Sequence, residues 1–374
     1  MSKIRVTVLF GGQSSEHEVS RISAQCVLEN IDRSRFEIQT IGITKNGEWL
    51  KYDGDISLIG SGEWEETARR QLRERKGANL LSRYIENTPT LRALINYDDK
   101  DSADETVDVV FPILHGPNGE DGSVQGLLQL ADVPYVGCNI LASAAGMDKA
   151  FSKLVFANAG IPQADYIVVM RSEINEKIDD IIIKVTEKLG WPCFVKPANA
   201  GSSVGVSKVK RPEDLMSALH YAAEYDNKIL IEEFIKGREV ECAVLGNDNP
   251  IASTVGEILP CNEFYDYNAK YIAGKSVTII PADIDTNIME QIREYAVKAF
   301  KALGCSGLSR VDFFVEGSGR VVLNEINTMP GFTDISMYSK LWEASGIPYT
   351  ELITRLIELA IENYRQRTRS YERK

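Results

Sequence analysis

An uninterrupted apolar run, Ile4–Phe10, lies near the start of the chain and is followed by two glycines. Such a run predicts a strand that is buried on both faces of a parallel sheet. Ser15 and Glu18 have the spacing of a capping box, so a helix is expected to begin near Glu16. Two more runs with the strand-like pattern are Glu37–Ile43 and Val107–Leu114. This order of elements predicts an open α/β sheet, in which ligands bind beyond the carboxyl ends of the strands.

Downstream of this first sheet the pattern divides into two further units. Residues 55–105 are charged and weakly periodic, which predicts a surface insertion within the first unit. The second unit combines a helix, Ala150–Ala159, with short strands on either side of a Gly/Ser-rich loop. The third unit is rich in strands and has helices at about 285–303 and 348–366. We therefore expect three domains, covering residues 1–140, 141–228 and 229–374.

The charge balance limits the partners. The 374 residues include 42 Lys or Arg and 54 Asp or Glu, giving a net charge of -12. Such an acidic chain is expected to bind neither nucleic acid nor an anionic membrane. We expect no signal peptide before the first strand, and no apolar run approaches the roughly 20 residues of a membrane span. The six cysteines lack CxxC spacing and are expected to stay reduced, which favours a cytoplasmic protein without structural zinc.

The strongest chemical signal is a predicted hairpin made of Arg310–Phe314 and Val321–Asn327. Glu325 and Asn327 are two residues apart on one strand, so their side chains point to the same face. Asp312 can join them from the partner strand. Two carboxylates and an amide oxygen suit Mg²⁺. The alternative is a hairpin with ordinary solvated acids, which the apolar neighbours of all three residues disfavour.

A second signal is a lysine at a strand end followed by a small, flexible loop, Lys196–Gly205. The backbone N–H groups of such a loop can fold over phosphates. The loop lacks the Walker spacing, and Gly11-Gly12 lacks the dinucleotide pattern of glycines, so neither common nucleotide motif applies. A plain hairpin turn is the alternative, and the hairpin with its three metal-type ligands downstream favours the phosphate interpretation.

Two further segments allow both a structural and a functional interpretation. Glu232–Glu239 runs from a strand into a turn and can bind adenine through backbone groups and ribose through an acid. A solvated charged turn has the same pattern. Glu16 lies in the first turn of the predicted helix, where an acid offsets the helix dipole. Its position on the rim of the first strand also allows it to bind a substrate ammonium.

Together these segments resemble the D-alanine–D-alanine ligase family of the ATP-grasp superfamily over essentially the whole chain. The motifs that carry the resemblance are Gly11–Ser20, His115–Gly122, Met147-Asp148-Lys149, Lys196–Gly205, Phe264–Tyr271 and Asn324–Thr333. The resemblance implies a three-domain ATP-grasp fold, with an N-terminal open parallel α/β sheet and two α+β domains that enclose ATP. The insertion at 55–105 is similar to that of the longer form of the enzyme.

The resemblance also implies the reaction. ATP phosphorylates the carboxylate of one D-alanine, and the amine of a second D-alanine attacks the acyl phosphate to give D-alanyl-D-alanine for peptidoglycan synthesis. The implied cofactor is Mg²⁺ or Mn²⁺, one or two ions per site, held by Asp312, Glu325 and Asn327. The implied assembly is a homodimer.

Individual roles follow from the same resemblance. Glu16 would bind the ammonium of the first D-alanine, with His115 near its carboxylate. Arg310 and the backbone N–H of Gly331 would hold the developing oxyanion. Contacts to ATP are implied for Lys149, Lys196, Ser202, Ser203, Glu232, Glu233, Ile235, Glu239 and Lys270. The hydrogen-bonded set that closes the site would be Glu16, Ser202 and Tyr271. The carboxylate of the second D-alanine would be bound by Lys270 and Ser336.

Three alternatives compete with this interpretation. A sibling ligase that uses D-lactate or D-serine is disfavoured, because Tyr271 and the run Ser336-Met337-Tyr338 resemble the D-alanine-specific pattern. A nucleotide-binding module without catalysis is disfavoured by the complete set of Arg310 and the three metal-type ligands. A nicotinamide dehydrogenase would need the dinucleotide glycine pattern, which is absent from the sequence.

Overall fold

The computed structural model describes residues 3–76, 107–259 and 277–367, which form three sheets with helices packed on them. The strands, β1 to β13 in chain order, are Ile4–Gly11, Phe36–Ile43, Trp49–Tyr52, Val109–Pro112, Tyr166–Met170, Cys193–Pro197, Ser207–Val209, Lys228–Glu233, Gly237–Gly246, Ile251–Leu259, Val277–Ile279, Gly307–Glu316 and Val321–Asn327. The helices, α1 to α11, are His17–Asn30, Ser57–Ser61, Trp64–Lys76, Ser123–Leu130, Ile140–Met147, Lys149–Asn158, Ile178–Lys188, Leu215–Ala223, Thr286–Leu303, Met337–Ala344 and Tyr349–Gln366. The predicted α/β class is confirmed. Among the described helices, none combines the length and the apolar character that crossing a bilayer requires.

The first sheet has the strand order β3-β2-β1-β4. Strand β1 runs parallel to β2 and β4, and β3 is antiparallel at the edge. Val6, Val8 and Phe10 of β1 have no exposed surface, and neither does Leu9 on the opposite face. The uninterrupted apolar run therefore marks a strand that is covered on both sides, as predicted.

Helix α1 begins at His17, next to the predicted start. The predicted capping box is wrong, because Glu16 and not Ser15 is the N-cap residue, and no side chain caps the helix. Ser14 Oγ instead accepts a hydrogen bond from Glu16 N–H (3.1 Å) and donates one to the carbonyl of His115 (2.8 Å). These bonds tie the segment before α1 to the loop after β4, so Glu16 and His115 share one rim of the sheet.

Within the predicted surface insertion, Ser57–Ser61 forms α2 and Trp64–Lys76 forms α3, and Ile59, Trp64 and Ala68 are buried. Trp64 of α3 has 1% exposed surface and packs edge-to-face against Phe10 of β1, with ring centroids 4.8 Å apart. A Cβ at Gly42 would overlap the Trp64 ring. One large apolar side chain therefore anchors an otherwise charged helix to the first sheet, and the predicted surface insertion stays a prediction. The rest of the predicted insertion, from residue 77 on, lies outside the described residues.

The other two sheets are antiparallel. The order β5-β8-β6-β7 includes the strand that leads into the Gly/Ser-rich loop, and the order β11-β10-β9-β12-β13 ends in the predicted hairpin. In that hairpin Asp312 faces Glu325, and Arg310 faces Asn327. The register shifts between Asp312 and Phe313. Such an irregularity re-aims the side chains beside it, here those at the predicted metal site.

The last helix, α11, packs back on the first sheet. Leu352 and Leu356 of α11 are fully buried in one apolar cluster with Val6 of β1. At the surface Arg35 Nη2 lies 2.5 Å from Glu358 Oε1. One core therefore includes residues from both ends of the chain, and the three predicted domain boundaries stay predictions.

Candidate active site

A cleft of about 240 Å³ lies between the rim of the first sheet, the Gly/Ser-rich loop and the terminal hairpin of the third sheet. The predicted site residues that line it are Glu16, His115, Lys149, Ser202, Arg310, Glu325, Asn327, Gly331 and Ser336. Those that do not line it are Lys196, Ser203, Glu232, Glu233, Ile235, Glu239 and Asp312. Lys270 and Tyr271 lie outside the described residues. Segments distant in the sequence thus converge on one space.

Glu16 is buried at the rim of the first sheet, with 6% exposed surface. The hydroxyl of Ser202, from the Gly/Ser-rich loop, donates a hydrogen bond to Glu16 Oε1. Two glycines border the other oxygen: a Cβ at Gly116 would lie 2.5 Å from Glu16 Oε2, and one at Gly201 would lie 2.8 Å from it. The carboxylate therefore sits in a narrow slot between two glycines, where a Cβ on either one would displace it, and the predicted Glu16–Ser202 contact is present.

His115 is buried in the cleft wall. Its Nδ1 lies 3.2 Å from the carbonyl oxygen of Met329, and its Nε2 lies 3.3 Å from Ser23 Oγ. A carbonyl only accepts, so Nδ1 carries the proton and Nε2 accepts from the Ser23 hydroxyl. Burial lowers the pKa of His115 below its usual value, against the opposing effect of Glu16. The imidazole is therefore neutral at pH 7 and fixed in one tautomer.

Glu120 is a cleft residue that the sequence analysis did not single out. Its Oε2 accepts a hydrogen bond from Gly116 N–H at 2.7 Å. Burial raises the pKa of Glu120 well above its usual value, and the nearby Glu16 raises it further. The available signal was an acid within the glycine-rich run His115–Gly122. The glycine beside Glu16 is thus held by a second buried acid.

Arg310 lies half-buried in the floor of the cleft between two carboxylates. Its Nε and Nη2 donate to the two oxygens of Asp312 at 2.8 and 2.7 Å, and Nε lies 3.0 Å from Glu241 Oε2. Burial favours the neutral form, but Asp312 and Glu241 outweigh it and raise the pKa of Arg310 well above its ordinary value. Glu241 was missed in the sequence analysis, although an acid inside the apolar strand β9 was a signal.

The three predicted metal ligands lie together on the hairpin. Glu325 Oε2 is 3.4 Å from Lys149 Nζ, and Asn327 Oδ1 accepts from the backbone N–H of Met329 at 3.1 Å. Both oxygens of Asp312 are bonded to Arg310 but keep further lone pairs, so this hard-oxygen set fits a divalent cation. Within the described ranges no group of three or more His, Cys, Asp or Glu side chains forms a metal cluster. The predicted metal site therefore consists of two carboxylates and the amide oxygen of Asn327.

The Gly/Ser-rich loop has an unusual backbone. Ser202 and Ser203 both have positive φ, at 50° and 59°. Two consecutive non-glycine residues in this region are uncommon and mark strained, functional segments. Lys149 Nζ donates to the carbonyl of Ala200 at 2.8 Å, which fixes the loop against helix α6. The loop thus carries one hydroxyl to Glu16 and lies beside a lysine.

Lys196, at the strand end before the loop, belongs to a second buried charge cluster. One oxygen of Glu232 pairs with Lys196, and the other pairs with Lys153 of α6. Burial opposes ionisation of Glu232, but the two lysines lower its pKa below the usual value. Lys153 was missed, although its position one turn after Lys149 was a signal. Glu232 therefore binds two lysines, a partnership that the sequence did not predict.

The remaining nucleotide candidates lie around the end of β8. Glu233 Oε1 accepts from the backbone N–H of Asp165 at 3.0 Å, so this side chain has a structural partner. Ile235 is buried in a small apolar cluster with Val322. Glu239 faces Phe314 across β9 and β12. These residues lie beyond the cleft lining.

Ser336 is the residue before α10, and it faces Gly331. Its Oγ accepts from the backbone N–H of Thr333 at 3.0 Å and lies 2.8 Å from Thr333 Oγ1. A Cβ at Gly331 would lie 3.0 Å from that oxygen. The turn before α10 therefore directs a hydroxyl and a helix N-terminus at the cleft.

Comparisons with known proteins identify relatives over the full length. Family models described as "D-ala D-ala ligase N-terminus" and "D-ala D-ala ligase C-terminus" match residues 5–138 and 155–358. The chain is 56% identical to a D-alanine--D-alanine ligase of Ruminiclostridium cellulolyticum, over 99% of each chain. It is 58% identical to a D-alanine--D-alanine ligase of Acetivibrio thermocellus, again over 99% of each.

Solved structures agree with these relatives. The VanG D-Ala:D-Ser ligase from Enterococcus faecalis superposes with a TM-score of 0.81 at 37% identity, covering 96% of this chain and 100% of the other. The D-alanine-D-alanine ligase from Coxiella burnetii superposes with a TM-score of 0.77 at 34% identity, covering 98% and 96%.

Proposed function

The chain belongs to the D-alanine–D-alanine ligase family, and from this premise we propose that it forms D-alanyl-D-alanine for peptidoglycan synthesis. Its fold is the ATP-grasp architecture that the sequence predicted, shared with the solved D-alanine ligases. It is an enzyme, with ATP as co-substrate and D-alanine as the small molecule that it ligates.

The reaction has two steps. The γ-phosphoryl group of ATP moves to a carboxylate oxygen of the first D-alanine, which yields ADP and D-alanyl phosphate. The amine of the second D-alanine then attacks the carbonyl carbon, loses a proton, and displaces inorganic phosphate. Both steps bring anions together, so the site must supply fixed positive charge and keep water from the acyl phosphate.

The observation that carries the proposal is the convergence of Glu16, Arg310 and Lys149 on one cleft. Glu16 supplies a buried negative charge for the ammonium of the first D-alanine, and its glycine slot fixes where that charge lies. Neutral His115 stands on the same rim and accommodates the rest of the amino acid. Arg310, with the backbone N–H of Gly331, stabilises the negative charge that develops on the substrate oxygen.

The residues that bind the nucleotide are two lysines and the Gly/Ser-rich loop. Lys149 and Lys196 supply positive charge for the phosphates, and Ser202 and Ser203 place the loop backbone over them. Adenosine lies against Glu233, Ile235 and Glu239 around the end of β8, with Glu232 as the buried anchor of the lysines. Lys270 and Tyr271, outside the described residues, would complete the phosphate contacts and the closure over Glu16. Ser336 receives the carboxylate of the second D-alanine.

We propose Mg²⁺ or Mn²⁺, one or two ions per site, at Asp312, Glu325 and Asn327. Such ions neutralise phosphate charge when bound. The protein's part is to hold these hard oxygens on adjacent strands. Lys149 Nζ lies 3.4 Å from Glu325 Oε2 and gives that carboxylate a neighbouring positive charge.

We also propose a cytoplasmic homodimer. The support for the compartment is that five cysteines of the described residues are free thiols. The support for the dimer is a set of exposed apolar side chains on helices α4, α5 and α6, which contact one another. They are Leu130, Leu141, Phe151 and Leu154. Sedimentation of Leu141→Glu should show monomers if this surface is the interface, and an unchanged dimer would place the interface elsewhere.

The proposed activity is tested by product identification. Purified protein with ATP, Mg²⁺ and D-alanine should release ADP and phosphate and form D-alanyl-D-alanine, identified by mass spectrometry. A panel with D-serine and D-lactate as second substrates tests the sibling activities, which the 56% and 58% identical relatives do not favour. A mixed product in which D-alanyl-D-serine or D-alanyl-D-lactate exceeds the dipeptide would overturn the assignment.

A further inference from the structure

Lys340 of α10 lines the cleft on the same helix face as Ser336. The two residues are four apart, so their side chains are neighbours along one side of the helix. Ser336, Met337 and Lys340 all line the cleft. Lys340 also borders a second, adjacent cavity, together with Thr278 and Glu343. It therefore stands at the edge of the cleft, beside the hydroxyl that was predicted to bind the second substrate.

Lys340 differs from the other cations in the cleft in its ion pairing. Lys149 pairs with Glu325, and Arg310 pairs with Asp312 and Glu241. Across residues 3–76, 107–259 and 277–367, no ion pair or side-chain hydrogen bond engages the Lys340 ammonium. Its side chain is only partly exposed. A half-buried ammonium that faces the cleft, and that no carboxylate among the described residues engages, is available to an anionic group of a ligand.

We propose that Lys340 binds the carboxylate of the second D-alanine and so selects an acceptor that carries a negative charge at this end. The inference rests on the proposed function, because it assigns a second-substrate role within the same site. The N-terminus of α10 adds its dipole in the same direction. Ser336 supplies a hydroxyl four residues away, and Lys340 supplies the full positive charge that a hydroxyl lacks.

The test uses internal competition between two acceptors. D-alaninamide has the amine of D-alanine but a neutral amide in place of the carboxylate, so it can accept the D-alanyl group without contacting the cation. Wild-type protein, Lys340→Met and Lys340→Arg receive ATP, Mg²⁺, D-alanine and D-alaninamide. The measured quantity is the ratio of D-alanyl-D-alaninamide to D-alanyl-D-alanine by mass spectrometry. This ratio does not depend on how much of a variant is folded.

Lys340→Met should raise the ratio by roughly 10- to 100-fold, the size expected when one charged hydrogen bond is lost. Lys340→Arg should restore most of the wild-type ratio. The KM for the second D-alanine should rise by a similar factor, and that for the first should change less than about twofold. Lys298→Met, an exposed lysine on α9, is the matched control and should leave the ratio unchanged.

Two results would overturn the assignment of Lys340. One is an unchanged ratio in Lys340→Met, and the other is an equal rise in the KM values of both D-alanines. Failure of the proposed function itself has a different signature, because the wild-type protein would then form no D-alanyl product from either acceptor.

Discussion

The molecule has two charge clusters of opposite composition. One lies on the reaction side and the other lies on the nucleotide side. In the third sheet, Arg310 lies between Asp312 and Glu241, one positive charge against two negative. In the second sheet, Glu232 lies between Lys153 and Lys196, one negative charge against two positive. Both are assembled on neighbouring strands or helices.

The difference between the clusters indicates what each one binds. An unbalanced charge inside a protein is costly, so it persists where a ligand of the opposite sign completes it. The acid-rich cluster adjoins the oxygens that suit a divalent cation. The lysine-rich cluster adjoins the loop that suits phosphates. One nucleotide with its metal would thus neutralise both excesses at once.

The largest expected effect comes from removing the centre of the lysine-rich cluster. Glu232→Gln leaves Lys153 and Lys196 buried without a counter-charge, so the free energy of unfolding should fall by about 3–5 kcal/mol. Denaturant unfolding at pH 7 measures it. Glu233→Gln is the control, since a glutamine oxygen can still accept from Asp165 N–H, and it should cost under about 1 kcal/mol. Equal losses would show that the cluster has no special role.

On the acid-rich side the corresponding change should affect catalysis more than stability. Arg310→Lys keeps a positive charge between Asp312 and Glu241 but loses the planar fork that we propose also contacts the substrate oxygen. The kcat for dipeptide formation should fall by about 10²–10³. Steady-state kinetics with thermal unfolding as control measures this. A variant within tenfold of wild type would remove Arg310 from the oxyanion site.

Glu16 is a further acid on the reaction side. Its substitution tests whether the acids on this side bind substrate. Glu16→Gln should weaken use of the first D-alanine by well over tenfold, because a desolvated charge pair is worth on the order of 2–5 kcal/mol. Glu18→Gln is matched, since Glu18 lies in the same helical turn but is exposed and paired with Lys45 at 2.5 Å. It should leave the kinetics intact. If both variants lose only stability, Glu16 is a helix-dipole residue.

The smallest effect is a pH dependence of stability. Lys196 and Lys153 lower the pKa of Glu232 below 4.5 despite its burial. The stabilisation is therefore complete above pH 4.5 and is lost as the pH falls through the folded-state pKa. Glu232→Gln has no such component, so the stability difference from wild type should narrow below pH 4.5. Urea unfolding at pH 7 and pH 4 checks this, and a constant difference contradicts the proposed pairing.

The sequence predicted local elements well and remote partnerships poorly. The hairpin, the first strand and the loop were accessible because apolar alternation and glycine clusters are local signals. The partners of Glu232 were not, because Lys153 and Lys196 lie on a different helix and strand that only the fold brings together. The burial of Trp64 within a charged segment was not predicted for the same reason. Trp64 packs against Phe10, which lies more than 50 residues earlier.

In the candidate site, too, the residue types could be predicted from the sequence but their partners could not. Gly116 and Gly201 were visible as glycines, but their shared position was not, since both border one carboxylate that comes from a third segment. Glu120 and Glu241 were visible as acids. What distinguishes them is burial beside Gly116 and Arg310, which depends on the packing of two sheets.

The return of α11 to the first sheet has a consequence for how the protein is made. A ribosome releases the chain from its N-terminus, so β1 and α1 emerge long before the helix that completes their core. Until Leu352 and Leu356 arrive, the apolar surface around Val6 stays uncovered. A nascent chain is therefore a client for chaperones through most of its synthesis. A premature stop codon shortly before Tyr349 would spare every residue assigned to the active site and still yield a product destined for degradation.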